Sequence, residues 1–206
     1  YDQLTGWTTT DLLDLHGIRV AVDELQAEPS LSAGELALLK QAFSGLMARS
    51  PDDPNGYFAQ AGIHWYPAPN TYCMHHVPGF NPWHRGYLYY FEQQLHIVSG
   101  NPDLNVPYWD YYSYATLPAE FTNPASNNPL YVPRLSANVH SALDLAPFAP
   151  TVYNFQHGAL NAFEPKIEDV HNPIHDLIGG VMTTMQSPLD PIFYLHHASI
   201  DRLTHA

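Results

Sequence analysis

The histidines fall into two tight groups, and that grouping constrains the fold more than any other feature. "TYCMHHVPGFNPWHRG" holds His75, His76, His84 and the sole cysteine, Cys73. Far along the chain, "VHNPIHD" and "YLHHASIDR" hold His171, His175, His196 and His197. Histidine is the commonest metal ligand. A fold that uses both groups must bring distant segments face to face.

Spacing sorts the rings. His171 and His175 are four apart, so on a helix they point the same way and can chelate one ion. Two surface rings would show the same spacing. His84 opens a helical stretch, while the Pro78-Gly79 break puts His75 on a separate segment. Helical neighbours point about 100° apart, so one ring of each doublet, His75-His76 and His196-His197, is expected to ligate a given ion. Asp201, one turn after His197, is placed to accept its second ring N–H. His16, His96, His140, His157 and His205 lack a partner at chelating spacing and read as structural or surface residues. One cysteine excludes both an internal disulfide and a zinc-finger site. Imidazole suits Zn, Cu, Fe and Ni alike. The residues alone therefore give a histidine-rich site, with two metals, in a helical shell.

The 206 residues are 45% hydrophobic. That is enough for one core, so a single domain over 1–206 is expected. A net charge of −13 with 7 Lys+Arg excludes a nucleic-acid partner, which needs clustered positive charge. It suits small neutral or cationic ligands. No apolar run is long enough to span a membrane, and no charged-then-apolar leader opens the chain.

The expected architecture is mainly α with long Pro-rich loops. "TTTDLLDLHGIRVAVDELQ" has helical periodicity. "SAGELALLKQAFSGLMARS" adds a capping box, Ser32 with Glu35. "NPWHRGYLYYFEQQLHIVSG" reads as a helix with Asn81 as N-cap, Pro82 first and Gly100 after its end. "EDVHNPIHDLIGG" reads as a short helix capped by Asp169, with Pro173 in its first turn. "LDPIFYLHHASIDRLTHA" starts a last helix. Pro102 to about Glu164 reads as loops.

"CMHHVPGFNPWHRGYLYYFE" resembles the first copper-binding segment of the tyrosinase, catechol oxidase and hemocyanin group of type-3 copper proteins. "VHNPIHDLIGG" with "SPLDPIFYLHHASIDR" resembles the second, and "NVPYWDYY" the family's "PYWDW" stretch. The resemblance runs from about Ile63 to Arg202. It implies a four-helix bundle core around two copper ions. His64, His75 and His84 match the ligands of one copper, and His171, His175 and His197 those of the other. It also implies a thioether between Cys73 and His75. Glu168 matches a glutamate that holds a water near the second copper, and Asn172 matches a residue that helps that water take a proton from a phenol. Phe193 matches an aromatic covering that copper, and Asp176 stands where substrate choice is tuned.

The activity implied is oxidation of o-diphenols to o-quinones by dioxygen, with hydroxylation of monophenols. An o-aminophenol oxidase and a hemocyanin-like oxygen carrier use the same ligands; a dizinc hydrolase would need bridging carboxylates. Two departures stand out. Thr204 replaces the family's Trp, and the chain stops just after the last ligand, which reads as a lost C-terminal covering part. The resemblance leaves the oligomeric state open.

Overall fold

The computed structural model describes residues 32–65 and 73–205. The helix expected around residues 8–26 lies outside them. Among the described residues, four helices longer than ten residues carry the architecture: α1 (Ala33–Met47), α3 (Phe80–Ser99), α5 (Phe163–Ile178) and α6 (Ile192–His205). Two short ones, α2 (Tyr57–Gly62) and α4 (Ala119–Thr122), lie between them. The described residues contain no strand, only two isolated β-bridges. None of their helices is long and apolar enough to cross a membrane.

Local chemistry fixes α1. Ser32 accepts from the Glu35 amide while the Glu35 carboxylate accepts from the Ser32 amide, the reciprocal capping box read from the sequence. Helix α3 departs from its expectation. Gly79, at φ 109°, is the N-cap, and Asn81 and Pro82 lie inside the helix. The reason is tertiary. The Glu164 carboxylate accepts from the Gly79 amide at 3.2 Å and the Asn81 amide at 3.1 Å, so a distant side chain does the capping. The other end follows the expectation, with Gly100 left-handed at φ 67°.

Helix α5 is also longer than expected. It starts at Phe163, so Asp169 is internal and caps nothing, and Pro173 sits in the interior. Pro165 takes the tolerated place in the first turn. Pro173 has no N–H to donate back to the carbonyl one turn earlier.

One apolar core joins the long helices. Phe43 of α1, Phe91 of α3 and Tyr194 of α6 pack ring on ring, with Phe91 and Tyr194 stacked at 3.6 Å. Arg85 of α3 pairs with Asp201 of α6 at 2.5 Å. Asp201 therefore serves α3, and His197 Nδ1 is buried without a hydrogen-bond partner. The loops from 101 to 162 are pinned by Arg134. It makes a two-pronged pair with Asp190 and also donates to the Phe121 and Leu130 carbonyls.

Candidate metal centre

Two clusters of ligand-type side chains face each other inside the helices. The first is His64, Cys73, His75 and His84; the second is His171, His175, His196 and His197. Within each, one ligand atom per residue lies within 4.8 Å of the others. His64 follows α2, Cys73 and His75 precede α3, and His84 is on α3. His171 and His175 share a face of α5, while His196 and His197 come from α6. The clusters touch. The His84 and His197 rings stack at 4.3 Å and 8°, and His75 lies 5.5 Å from His171.

The rings are set for coordination before any ion arrives. His64 Nδ1 donates to the Met185 carbonyl, His84 Nδ1 to Phe80 and His175 Nδ1 to Met182, each at 2.7 Å. His75 Nδ1 donates to the Glu168 carboxylate at 3.1 Å, and His171 Nδ1 to the Asn172 amide oxygen at 3.0 Å. Such bonds fix the tautomer with the lone pair on Nε2, as an outer shell does for metal-bound histidines. His75 Nε2 and His175 Nε2 are buried with no partner, an arrangement that is costly unless something accepts the lone pair. His171 Nε2 and His197 Nε2 lie 3.2 Å apart. Two imidazoles about 2.0–2.1 Å from a shared tetrahedral ion would sit about 3.3 Å apart, so a metal ion fits.

Electrostatics agree. Burial, then the neighbouring rings, pushes the His84, His171 and His197 pKa values well below the ordinary histidine value. Burial takes His64 down to about 3 and His175 down to about 4, against the carbonyl bond each makes. These five rings stay neutral, as metal binding requires. Burial would raise Glu168, but donors from His75, the His76 amide and His157 outweigh it and hold its pKa below the usual carboxylate value.

Two phenylalanines enclose the cage. Phe193 lies 5.3 Å from His64 and 4.2 Å from His197, bridging the clusters. Phe80, which the sequence did not single out, lies 4.6 Å from His84, 5.0 Å from His171 and 5.3 Å from His75. Two histidines add to the picture. His157 donates to Glu168 at 2.7 Å. His196 joins the second cluster, stacked on His171 at 5.0 Å and 14°, with both ring nitrogens buried and unpartnered. Helical spacing admitted one ring of this doublet, yet His196 is fully buried as well, beside Tyr111. No local sequence signal marks either residue. Cys73 Sγ lies 3.4 Å from His84 Nε2. Glu168 spends its contacts on His75, the His76 amide and His157, and Asn172 spends its oxygen on His171 of the second cluster. Asp176 is exposed on α5.

Comparison with known proteins bears on this cage. The family profile described as the common central domain of tyrosinase matches residues 54–144 and 123–206. The chain is 32% identical to Hemocyanin 2 of Megathura crenulata over 84% of its own length and 6% of that protein. It is 30% identical to a tyrosinase of Streptomyces glaucescens, covering 63% of this chain and 62% of that one. The solved polyphenol oxidase of Grenache (Vitis vinifera) shares the fold with a TM-score of 0.67 at 22% identity, covering 84% of this chain and 67% of that one. The chain thus spans 6% and 62% of these two curated relatives.

Proposed function

The chain belongs to the tyrosinase family, and from that premise we propose that it is a two-copper oxidase converting o-diphenols to o-quinones with dioxygen and hydroxylating monophenols. One observation carries the reading: two groups of imidazoles, five of whose rings have Nδ1 fixed by outer hydrogen bonds, lie in contact inside a helical shell. His64, His75 and His84 would hold one copper; His171, His175 and His197 would hold the other. Copper supplies the electron transfer to dioxygen; the protein supplies geometry, access and charge. Two diphenols and one dioxygen give two quinones and two waters.

The chain's own groups act on binding and protons. Phe193 is fully buried against His64 and His197, so it walls the cage between the two clusters and keeps water from it, without a face open to the substrate ring. Asn172 spends its oxygen on His171, and its N–H donors can hold a water or phenolate oxygen. A monophenol has pKa near 10 and must lose its proton to bind as phenolate. At pH 7 that costs about three pH units, or about 4 kcal/mol at 1.36 per unit. Donors aimed at the phenolate oxygen favour the charged form and so offset part of that cost, the proton passing to solvent water. A diphenol, with a second oxygen, depends on it less. Exposed Asp176 favours cationic or neutral phenols over carboxylated ones. Cys73 is assigned a thioether to His75, which would lock that ring.

The hemocyanin relative supports a second reading, reversible dioxygen binding without turnover. Oxygen consumption and quinone absorbance, followed with dopamine and tyramine, separate the two. The copper-loaded chain is expected to oxidise both substrates. Asn172→Gly is expected to lose tyramine turnover far more than dopamine turnover, and His175→Ala to lose both. Two bound coppers with reversible dioxygen uptake and no quinone would overturn the oxidase reading in favour of the carrier.

A further inference from the structure

Glu164 and Glu168 are four apart on α5, so their side chains leave from one face. Both residues are buried, at 0% and 1% exposure. A buried carboxylate is costly unless donors satisfy it, and here the donors come from two other segments. Glu164 Oε1 takes the Gly79 and Asn81 amides, and its Oε2 takes the His157 amide at 3.0 Å. Glu168 Oε1 takes His75 Nδ1 at 3.1 Å and the His76 amide at 2.9 Å. Its Oε2 takes the same amide at 3.0 Å and His157 Nε2 at 2.7 Å. His157 is thus gripped twice, by backbone and by ring. The 75–81 segment is also gripped twice, although His76 adopts a left-handed φ of 57°, which is costly for a residue other than glycine.

We propose that Glu168 and His157 are positioning residues for the first metal site: Glu168 orients the His75 ring, and His157 holds Glu168 in place to do so. The proposal rests on the two-copper reading. It assigns Glu168 to ring orientation and not to the water that takes a phenol's proton. Both Glu168 oxygens face the first cluster's segment and His157. Because the same helix carries His171 and His175, the geometry of the first site is set from the helix that builds the second. Outer partners of metal-bound histidines are worth about 10–100-fold in metal affinity.

The test is titration of the metal-free chain with Cu(I) against a competing chelator, with circular dichroism melts of each variant. The parent is expected to bind two ions. Glu168→Gln, which cannot accept from three partners at once, should bind one ion as the parent does and the other about 10–100-fold more weakly. His157→Phe should weaken the same ion, and His157→Gln, which keeps an N–H donor, should restore it. This second pair carries the test if Glu168→Gln melts at room temperature. In a His75→Ala background, Glu168→Gln should change nothing further, since the ring it holds is gone. Full parental copper affinity in Glu168→Gln, with tyramine turnover alone lost, would place Glu168 on the substrate proton and overturn the proposal. So would an equal loss with or without the His75 ring. A parent that binds no copper pair overturns the two-copper reading and this inference together. Variants that match a two-copper parent overturn this inference alone.

Discussion

Replacing Glu92 by glutamine should stabilise the protein, and more so as the pH rises. Glu92 lies on the buried face of α3 at 0% exposure. Its Oε1 accepts from the Val106 amide at 2.8 Å, and its Oε2 is buried without a partner. Burial, opposed by the Val106 bond and aided by the Asp201 charge, pushes its pKa from 4.5 up to about 8. Between those values the folded chain keeps a proton that the unfolded chain has lost. Stability from this group is therefore complete below pH 4.5 and drains away as pH rises to about 8. At about 1.36 kcal/mol per pH unit the loss reaches about 5 kcal/mol, an upper bound because water entry would soften it. Glutamine keeps the Oε1 acceptor and carries no charge to bury. For a chain of this size about 1 kcal/mol moves the melting temperature by about 2–4 °C. Glu92→Gln should thus melt with the parent near pH 5 and up to about 10–20 °C above it at pH 8. Calorimetric melts of both proteins at half-unit pH steps measure this. Because other titrating groups are shared, they cancel in the difference. A difference that stays constant from pH 5 to 8, or a variant less stable at pH 8, would refute the reasoning.

Arg134→Met should cost about 3–5 kcal/mol, because it strands the Asp190 carboxylate, a side chain only 1% exposed; urea unfolding that shows under 1 kcal/mol would mean the pair is expendable. Gly179→Ala should cost about 1–3 kcal/mol, since Gly179 sits at φ 73°, ψ −163° and an added Cβ would lie 2.4 Å from Leu135 Cγ. The same change should weaken both copper ions, because Met182 and Met185 follow it in the chain and orient His175 and His64; melts and copper titration check both effects. Chain exposed to copper and dioxygen should lack two hydrogen atoms relative to its sequence mass, removed by dioxygen as Cys73 Sγ joins a ring carbon of His75. It should also resist thiol alkylation when denatured, and complete alkylation of Cys73 would sink the thioether.

What was legible in the sequence was local. Ser32 and Glu35 cap α1 across three residues, and Gly100 ends α3 by its own backbone freedom. The i, i+4 pair His171-His175 shares a face of α5 as read. What escaped was set by distant partners. Asn81 looked like a cap, but Glu164 supplies that function from another helix. Asp169 looked like a helix start, yet the helix begins at Phe163, where Asn154 accepts the Phe163 amide across the loop. Asp201 looked like the partner of His197, and Arg85 from α3 claims it instead. His157 carried no chelating spacing, because its role is to hold a carboxylate and not an ion. Phe80 looked like one aromatic among many until the chain placed it against rings from both clusters.

The carbonyls of Met182 and Met185 have a consequence for how the centre is gauged. One holds His175 of the second cluster and the other holds His64 of the first, three residues apart on one stretch of backbone. The offset between these two rings, one from each cluster, is thus ruled off by main chain, with a tick mark at each carbonyl. Side chains can be exchanged along such a ruler without moving its marks; even the exposed Met185 can vary, because only its oxygen is read. Insertion or deletion of a residue between the two would shift one mark against the other and pull the two clusters out of register.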